Sequence, residues 1–389
     1  MEQRRRIHFF TAARSDYDLM APVIAELRAR GQVEVGVIAG SGQMSPFHGL
    51  AVRQIEEDGV TIVGRLETLV ASESWVGRSL SFAHLAEALT RQLAANRPHI
   101  VFVAGDREEH LAAAIVANFL RIHVAHIHGG DRCIASEIDE VMRPAISKLA
   151  HFHFPANERH RERLIKMGED PAYVWACGAP GLDRLRTTPD VPSAQLAAEF
   201  GFDPDQPFFL VIQHPSTMFA DAGHDVEEMT ELLEGVLSMG FPVLCSYPNI
   251  DPGNVGIRTA IDATKAKHSH LHVHHNLSRD RFVSLYRRCS AIVGNSSSLV
   301  IESSFLQIPA ILVGPRQDLR ERSDNVLRVN FSAAEVATAC RRALEDQKYL
   351  EIVRAGTSCY GDGHASPRIA DILTTAELKH ELLLKMMPY

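Results

Sequence analysis

The sequence lacks the features that mark several large classes of protein. It contains no apolar run long enough to cross a bilayer, so it does not predict a membrane protein. It contains no block of basic residues, and its net charge is −8, so a nucleic acid is not an expected partner. Low-complexity segments and repeats of fixed period are also missing. The composition, 46% apolar and 23% charged, is typical of a globular protein that buries a core.

Paired cysteines are missing as well. The six cysteines are widely scattered and none forms a C-x-x-C pair, so we expect reduced thiols and a cytoplasmic location. The arginines Arg4, Arg5 and Arg6 precede an apolar run, residues 7–10, that is too short for a signal peptide. We therefore predict that this run forms the first strand.

The histidine-rich tract at residues 268–275 lacks the companions that a metal site needs. Its histidines alternate with Leu271 and Val273, but no cysteine or carboxylate follows at ligand spacing. The alternation favours a strand at the edge of a sheet, and metal binding is the alternative. No metal and no cofactor are predicted.

Short β-rich runs alternate with helical patterns along the whole chain, as in parallel sheets with helices on both faces. At 389 residues the chain is long for one core, and five prolines between residues 178 and 208 indicate a boundary. We predict an α/β protein with two Rossmann-like, doubly wound domains, residues 1–185 and 186–365, and a cleft between them. The predicted strands are residues 7–10, 33–39, 100–104, 123–127, 151–154, 173–176, 208–212, 242–246, 271–274, 291–294, 310–313 and 326–329.

The stretch from Gly294 to Ser298 has the pattern of a phosphate site. An apolar run leads into it and an amphipathic run, residues 299–306, leads out, which predicts a strand, a tight turn and the start of a helix. A helix start presents unpaired amide N–H groups and a partial positive charge. The next predicted strand leads to Arg316, whose planar guanidinium can hold a phosphate with two hydrogen bonds. A helix cap with a solvated arginine is the alternative.

Polar residues also follow the other predicted strands. Because ligands of open α/β sheets bind at the carboxyl ends of the strands, we expect these residues to contribute to a site. Ordinary strand-to-helix turns are the alternative explanation. The residues are Arg14, Asp106, Arg107, His128, Asp131, His214, Tyr247, Asn249, Asp251, Asn295, Ser296 and Arg316.

Several of these side chains suit proton transfer. Carboxylates that face one pocket can differ in pKa, so Asp106, Asp131 and Asp139 could supply an acid and a base. For Asp106 and Asp139, the alternative is a role at a helix start. His214 could protonate a phosphate leaving group, or it could be a structural histidine.

In their order and spacing, these residues resemble the hydrolysing UDP-N-acetylglucosamine 2-epimerases of sialic-acid and related nonulosonic-acid biosynthesis. The resemblance extends over most of the chain and weakens at the C-terminal end. The shared motifs are ARSDY (13–17), GDR (105–107), HIHGGD (126–131), IDE (138–140), ISKLAH (146–151), SYPN (246–249), GNSS (294–297) and GPRQ (314–317), with Arg320, Glu321 and Asn325.

The resemblance implies a fold and a set of functional positions. The family has the glycosyltransferase-B fold, in which a C-terminal helix, here within residues 366–389, usually returns to the first domain. Catalytic positions fall on Asp106, His128, Asp131, Asp139 and His214. Positions that bind UDP fall on Arg14, Arg107, Asn249, Ser296, Ser297, Glu302, Arg316 and Arg320, and Glu302 would hold the ribose hydroxyls.

The chain departs from the common pattern of the family on the side of the sugar. His128 and Asp131 stand where the family often has Glu, Pro144 replaces a frequent His, and the loop before Asp139 is longer. The phosphate motifs are intact. The sequence therefore predicts the nucleotide more firmly than the sugar.

The resemblance implies an enzyme that converts a UDP-2-acetamido sugar into the free 2-epimer and UDP through a glycal, without a cofactor. The substrate would be UDP-N-acetylglucosamine or a UDP-2,4-diacetamido-6-deoxyhexose. A non-hydrolysing 2-epimerase, a glycosyltransferase on the same scaffold and a catalytically silent nucleotide-sugar-binding protein are the alternatives. Relatives imply a homo-oligomer, either a dimer or a tetramer.

Overall fold

The computed structural model describes residues 4–46, 49–72, 74–134, 138–216, 224–248, 253–274 and 277–386. The chain forms two compact units. The first comprises residues 1–131, 138–184 and 363–389, and the second comprises residues 132–137 and 185–362. Each unit has its own parallel sheet with helices, so the predicted α/β fold class is confirmed.

The sheet of the first unit is apolar on both faces. Phe9 and Phe102 pack in one core cluster, whereas Phe10 and Val103 pack in another. Such burial on both sides is expected of parallel strands that are covered by helices. The strands are β1 (Arg6–Thr11), β2 (Glu34–Gly40), β3 (Ile62–Leu66), β4 (Ile100–Ala104), β5 (His123–Ile127) and β6 (Phe152–Phe154). They pair in parallel in the order β3-β2-β1-β4-β5-β6.

Two sets of helices cover this sheet. Met20 and Ile24 of the first helix enter the cluster of Phe9, and Leu89 and Ala113 of later helices enter the cluster of Phe10. The helices are α1 (Arg14–Arg30), α2 (Val52–Glu57), α3 (Trp75–Ala95), α4 (Glu108–Phe119), α5 (Asp139–Leu149) and α6 (Glu158–Lys166). The next helix, α7 (Pro180–Thr187), contains the boundary between the two units.

The second unit repeats this plan. Its strands are β7 (Phe209–Ile212), β8 (Val243–Ser246), β9 (Leu271–His274), β10 (Ala291–Gly294), β11 (Ala310–Val313) and β12 (Val326–Val329). They pair in parallel in the order β12-β11-β10-β7-β8-β9. Its helices are α8 (Ser193–Phe200), α9 (Asp225–Leu237), α10 (Asn254–Lys265), α11 (Arg279–Tyr286), α12 (Ser298–Ile301), α13 (Ala333–Glu345) and α14 (Gln347–Ala355).

Two strand predictions for the first unit are wrong. The strand predicted at residues 173–176 is absent, because a 3-10 turn over Pro171–Tyr173 leaves only a single bridge between Val174 and His153. The strand β3 was not predicted, because Gly64 and Arg65 interrupt its apolar pattern. In the second unit, β9 is an edge strand, as the histidine alternation predicted.

The end of the chain belongs to the first unit. The helix α15 (Ala365–Thr375) packs against α1, and Ile369 and Leu373 enter the cluster of Phe9. The buried carboxylate of Asp183 accepts hydrogen bonds from the amides of Ala365 (3.0 Å) and Ser366 (2.6 Å). It therefore caps a helix that begins almost two hundred positions later in the sequence.

No helix within the described residues has the length and apolar composition that a bilayer crossing requires.

The cap on α15 can be tested by unfolding. We expect Asp183→Ala to lower the free energy of unfolding of the first unit by about 3 kcal/mol, because two buried N–H donors lose their acceptor. Ser74→Ala, which removes the exposed N-cap of α3, should cost about 1 kcal/mol or less. Both tryptophans, Trp75 and Trp175, lie in the first unit, so urea unfolding followed by tryptophan fluorescence reports on it. Equal costs for the two variants would contradict the assignment.

Candidate active site

The turn after β1 is fixed by a buried carboxylate. Asp16 accepts hydrogen bonds from the amides of Ala12 (3.1 Å) and Ala13 (3.0 Å), and its Oδ2 lies 3.1 Å from Nε2 of His110. Burial opposes ionisation of Asp16, but His110, the positive charge of Arg107 and the amide of Ala12 outweigh it, so the pKa of Asp16 is lowered. The predicted UDP ligand Arg14 begins α1, next to this turn.

The predicted UDP ligand Arg107 is held in one orientation after β4. Its Nε and Nη2 donate to the two carboxylate oxygens of Glu109 at 3.1 and 3.0 Å, and Ser41 Oγ also donates to Glu109 (3.3 Å). The negative charge of Glu109 raises the pKa of Arg107 further, against the effect of burial. The side chain of Arg107 is still 44% exposed, so this turn presents a fixed cation.

A buried arginine anchors Asp106. Arg143, on α5, is 1% exposed, and its guanidinium donates to the carboxylates of Asp106 and Glu140 and to the carbonyl of Asp131 (3.0 Å). Asp106 is not the cap of α4, because Arg107 occupies that position. The alternative role as a helix cap is therefore not what the structure shows for Asp106.

Asp106 and Asp139 lie close together. One carboxylate oxygen of each is within 4.8 Å of the other. Asp139 is the first residue of α5, where the helix dipole favours a negative charge, and Arg143 follows one turn later on the same helix. Two carboxylates at this separation beside one guanidinium can hold different protonation states, as an acid and a base must.

The turn after β5 has a backbone that few residues tolerate. His128 has a positive φ of 62° and Gly130 a φ of 77°. A Cβ on Gly130 would lie 2.3 Å from the carbonyl oxygen of His160, so glycine is required there. Asp131 follows with its Oδ1 3.5 Å from Nε2 of His160. The predicted catalytic residues His128 and Asp131 are therefore buried in a rigid turn.

His126, inside β5, joins this turn to the turn that carries Asp106. Its Nε2 lies 2.8 Å from the carbonyl oxygen of Gly105, and its Nδ1 lies 3.2 Å from Oγ of Ser147 on α5. Burial lowers the pKa of His126 to about 3, so the ring is neutral at physiological pH. It acts as a structural link rather than as a proton donor.

In the second unit, Asn295 organises the predicted phosphate turn. Its side chain accepts from the amide of His214 (2.8 Å) and donates to the carbonyl of the same residue (2.7 Å). Its own carbonyl accepts from Arg316 Nη1 (3.2 Å) and Gln317 Nε2 (3.0 Å). One fully buried asparagine thus connects the ends of β7, β10 and β11.

Two hydroxyls and a second arginine extend this arrangement. Ser296 Oγ accepts from the amide and hydroxyl of Ser298 at 3.4 and 3.1 Å, and Arg320 Nη1 donates to Gln317 Oε1 (3.0 Å). Ser297 is the N-cap of α12. Ser296 and Ser297 follow β10, and Arg316 and Arg320 follow β11, which is its neighbour in the second sheet.

The helix after this turn is shorter than predicted. The amphipathic residues 299–306 suggested one helix, but α12 ends at Ile301 and turns follow it. Ser303 Oγ donates to the carbonyl of Leu299 (2.6 Å) and accepts from Asn325 Nδ2 (2.8 Å), and these side-chain bonds compete with a longer helix. Glu302, the predicted ribose ligand, is therefore the C-cap of α12 rather than a residue inside a helix.

His214 is neutral in the free protein. Burial and the neighbouring charge of Arg316 lower its pKa to about 3. His214 as a proton donor to a phosphate leaving group therefore stays a prediction for the ligand-bound protein. The neutral ring still has one N–H that can donate a hydrogen bond. Asn249 and Asp251, which were also predicted in this unit, lie outside the described residues.

Sequence reasoning missed Arg143, and it did not predict that Asn295 holds the turns of the second unit together. Arg143 lies inside an amphipathic helix, where an arginine normally faces solvent, and nothing in its spacing reveals that it is buried. Asn295 was identified as a polar residue after a strand, but its contacts to β7 and β11 depend on strand order. The available signal was an arginine that closely follows four acidic residues, Asp131, Glu137, Asp139 and Glu140.

The state of His214 can be measured directly. We expect its ring to remain neutral at pH 5.5 in the ligand-free protein, with the signal assigned by the His214→Gln variant in nitrogen-15 NMR. In Arg316→Met the pKa should rise but stay below the ordinary value of about 6.5, because burial, the larger cause, remains. A titration midpoint near 6.5 in the unmodified protein would contradict this account.

Comparison with characterised proteins gives full-length similarities. The chain is 32% identical over 385 residues to the UDP-N,N'-diacetylbacillosamine 2-epimerase (hydrolyzing) of Legionella pneumophila, covering 99% of this chain and 100% of that protein. It is 26% identical over 326 residues to the GDP/UDP-N,N'-diacetylbacillosamine 2-epimerase (hydrolyzing) of Campylobacter jejuni, covering 83% and 84% of the two chains.

Solved structures show the same fold. The UDP-GlcNAc 2-epimerase of Neisseria meningitidis bound to UDP-GlcNAc superposes with a TM-score of 0.81 at 20% identity, over 95% of this chain and 99% of that one. The family model described as UDP-N-acetylglucosamine 2-epimerase matches residues 25–374. The chain therefore belongs to the UDP-N-acetylglucosamine 2-epimerase family.

Proposed function

We propose that this chain is a hydrolysing 2-epimerase that converts a UDP-2,4-diacetamido-6-deoxyhexose into UDP and the free 2-epimer. The observation that carries the proposal is the pair of carboxylates, Asp106 and Asp139, within 4.8 Å of each other beside the buried Arg143. The choice of sugar is supported by the two hydrolysing relatives described above, whose names give diacetylbacillosamine. UDP-N-acetylglucosamine is the second candidate, because the 2-epimerase of Neisseria meningitidis is 24% identical over 349 residues.

The chemistry requires UDP to leave first. No carbonyl flanks C2 of the sugar, so direct removal of its proton by a carboxylate faces a very large barrier. When the C1–O bond breaks, its electron pair leaves with the UDP oxygen and positive charge develops at C1. The proton on C2 then becomes far more acidic, and its removal gives a glycal with a double bond between C1 and C2. Stabilising the departing diphosphate is therefore the main electrostatic task.

The second unit suits the diphosphate. Arg316, held by Asn295, and Arg320, held by Gln317, supply positive charge, and the hydroxyls of Ser296 and Ser297 supply donors. A bound diphosphate would oppose the effect of Arg316 on His214 and favour its protonation. His214 would then change from a neutral hydrogen-bond donor into an acid for the leaving oxygen. Arg14, Arg107, Asn249 and Glu302 stay predictions as UDP ligands.

The first unit suits the proton transfers. One carboxylate of the Asp106–Asp139 pair would remove the C2 proton from one face. Water then adds its oxygen to C1, and an acid delivers a proton to C2 from the opposite face, which inverts that carbon. His128 is a candidate for this second group, because an imidazole gives a proton when it is protonated and takes one when it is neutral. Asp131 stays a predicted catalytic residue.

Assembly and location also stay predictions. We propose a homo-oligomer, a dimer or a tetramer, as relatives imply. The wide spacing of the six cysteines, with no C-x-x-C pair, supports the proposed cytoplasmic location.

The reaction can be followed by proton NMR in heavy water. We expect UDP-2,4-diacetamido-6-deoxyglucose to give UDP and a free 2-epimer that carries deuterium at C2, because the proton returned to C2 comes from solvent. UDP-N-acetylglucosamine, run in parallel, should react more slowly. The reverse preference would overturn the choice of sugar but not of reaction.

The other outcomes separate the alternatives. Exchange at C2 without free sugar indicates a non-hydrolysing epimerase. Release of UDP only when a sugar acceptor is added indicates a glycosyltransferase. Tight binding of UDP with no change in either substrate indicates a catalytically silent binding protein.

The proposal assigns proton transfer to the first unit and diphosphate binding to the second. It therefore predicts a different effect for a variant in each unit. Asp106→Asn should lower kcat by about two to four orders of magnitude while the Kd for UDP is unchanged, because it removes a proton-transfer group and no predicted UDP ligand. Arg316→Ala should weaken UDP binding about 10- to 100-fold by calorimetry, because it removes a charge-assisted contact.

Each variant has a control in its own unit. Asp170→Asn changes an exposed aspartate that caps a 3-10 turn, and Arg281→Ala changes an arginine on α11 that pairs with Glu199. Both controls should behave as the unmodified protein. Full activity of Asp106→Asn would remove this residue from the mechanism, and unchanged affinity of Arg316→Ala would place the phosphates elsewhere.

A further inference from the structure

The C-terminal end of α5 is held by a lysine from the end of the chain. The last carbonyls of any helix lack partners within the helix. Here the Lys385 ammonium donates to the carbonyls of Ala150 and Ser147 (3.4 Å), and Asn118 Nδ2 donates to the carbonyl of Leu149 (2.9 Å). A positive charge at this end also complements the helix dipole.

The ammonium is itself held by a buried carboxylate that the proposed reaction does not use. Glu169 is 3% exposed, forms ion pairs with Lys385 and with Lys148 Nζ (2.7 Å), and lies 3.0 Å from Nε2 of His153. Burial opposes its ionisation, but these three neighbours prevail and lower the pKa of Glu169 to about 2. Lys148 belongs to α5, so Glu169 ties the helix and the C-terminal segment to one point.

The backbone of Lys385 is set for this contact. It has a φ of 42°, a left-handed conformation that a non-glycine residue adopts only when its surroundings require it. The segment before it is anchored at several points: Leu378 and Leu382 pack against the core of the first unit, and the carbonyl of Lys379 lies 3.1 Å from Nε2 of His123. These contacts hold the backbone before Lys385 in place, so its side chain is directed to the end of α5.

The other end of α5 carries the candidate catalytic groups. Asp139 begins the helix, and Arg143 holds Asp106 from its second turn. Ser147, whose carbonyl accepts from Lys385, also uses its hydroxyl to contact His126, which in turn contacts the carbonyl of Gly105, next to Asp106. A rotation or shift of α5 would thus move Asp139, Arg143 and the Asp106 turn together.

We propose that Lys385 is a positioning residue for the reaction: its contacts to the end of α5 and to Glu169 keep the carboxylates at the start of that helix in the geometry that proton transfer needs. The catalytic part of this inference depends on the proposed function. A displacement of about 1 Å in a reacting group can lower the rate about 100-fold, so a residue that touches no substrate can have a large effect on kcat.

The test combines kinetics with hydrogen–deuterium exchange of the full-length protein. Lys385→Met should lower kcat about 10- to 100-fold with KM and the Kd for UDP within about twofold of the unmodified protein, because substrate binding is not the step affected. Amides of residues 139–149 should exchange faster, and those of β1 and β4 should not. Lys385→Arg, which keeps a charge and several donors, should recover part of kcat. If Lys385→Met does not fold, Lys385→Gln replaces it.

The matched control is Lys379→Met. The side chain of Lys379 is 53% exposed and lies on the same segment, so its loss should change neither kcat nor exchange in α5. Three outcomes would overturn the proposal. They are a loss of kcat without faster exchange in α5, faster exchange in α5 without a loss of kcat, and exchange that becomes equally faster in α5, β1 and β4. If the unmodified protein turns over no UDP-sugar, the proposed function fails, and exchange alone decides whether Lys385 holds α5.

Discussion

The first unit depends on the burial of one guanidinium. Taking the charge of Arg143 out of water costs several kcal/mol, and only close, well-directed acceptors can offset that cost. The acceptors are the carboxylates of Asp106 and Glu140 and the carbonyl of Asp131, which come from three different segments. The turn after β4, the turn after β5 and the start of α5 are therefore not independent. Each must keep its position, or a buried charge loses a partner.

In the second unit, the turns at the strand ends are joined by an uncharged side chain. Asn295 is neutral, and its amide and carbonyl join three strand ends by hydrogen bonds alone. The difference fits the ligands proposed for each unit. A diphosphate brings its own negative charge, so the nearby arginines are best left partly exposed to receive it. A sugar brings none, so the carboxylates that act on it need a resident cation to hold them in place.

The sequence was sufficient for the regular elements and for the electrostatic character of each unit. Apolar runs such as residues 100–104 and 310–313 begin and end at the same residues as the strands. Parallel strands that are buried on both faces are continuous apolar runs, so the ends of the run mark the ends of the strand. It was insufficient where the outcome depends on contacts between distant segments. The short α12, the neutral His214 and the buried Arg143 all result from neighbours that lie far away in sequence. The strand β3 was not predicted for a local reason, because Gly64 and Arg65 interrupt its apolar pattern.

The histidine at position 128 makes sense in terms of charge. Arg143 is one cation facing Asp106 and Glu140, and Asp139 adds a third carboxylate within 4.8 Å of Asp106. A glutamate at position 128, common in the family, would add another negative charge to the turn that already contains the buried Asp131. Like charges that share a site raise one another's pKa, and a base must stay ionised to work. An imidazole adds no negative charge at this position and keeps a group able to transfer a proton. It also tolerates the positive φ of 62° at this position, which histidine adopts more readily than most residues.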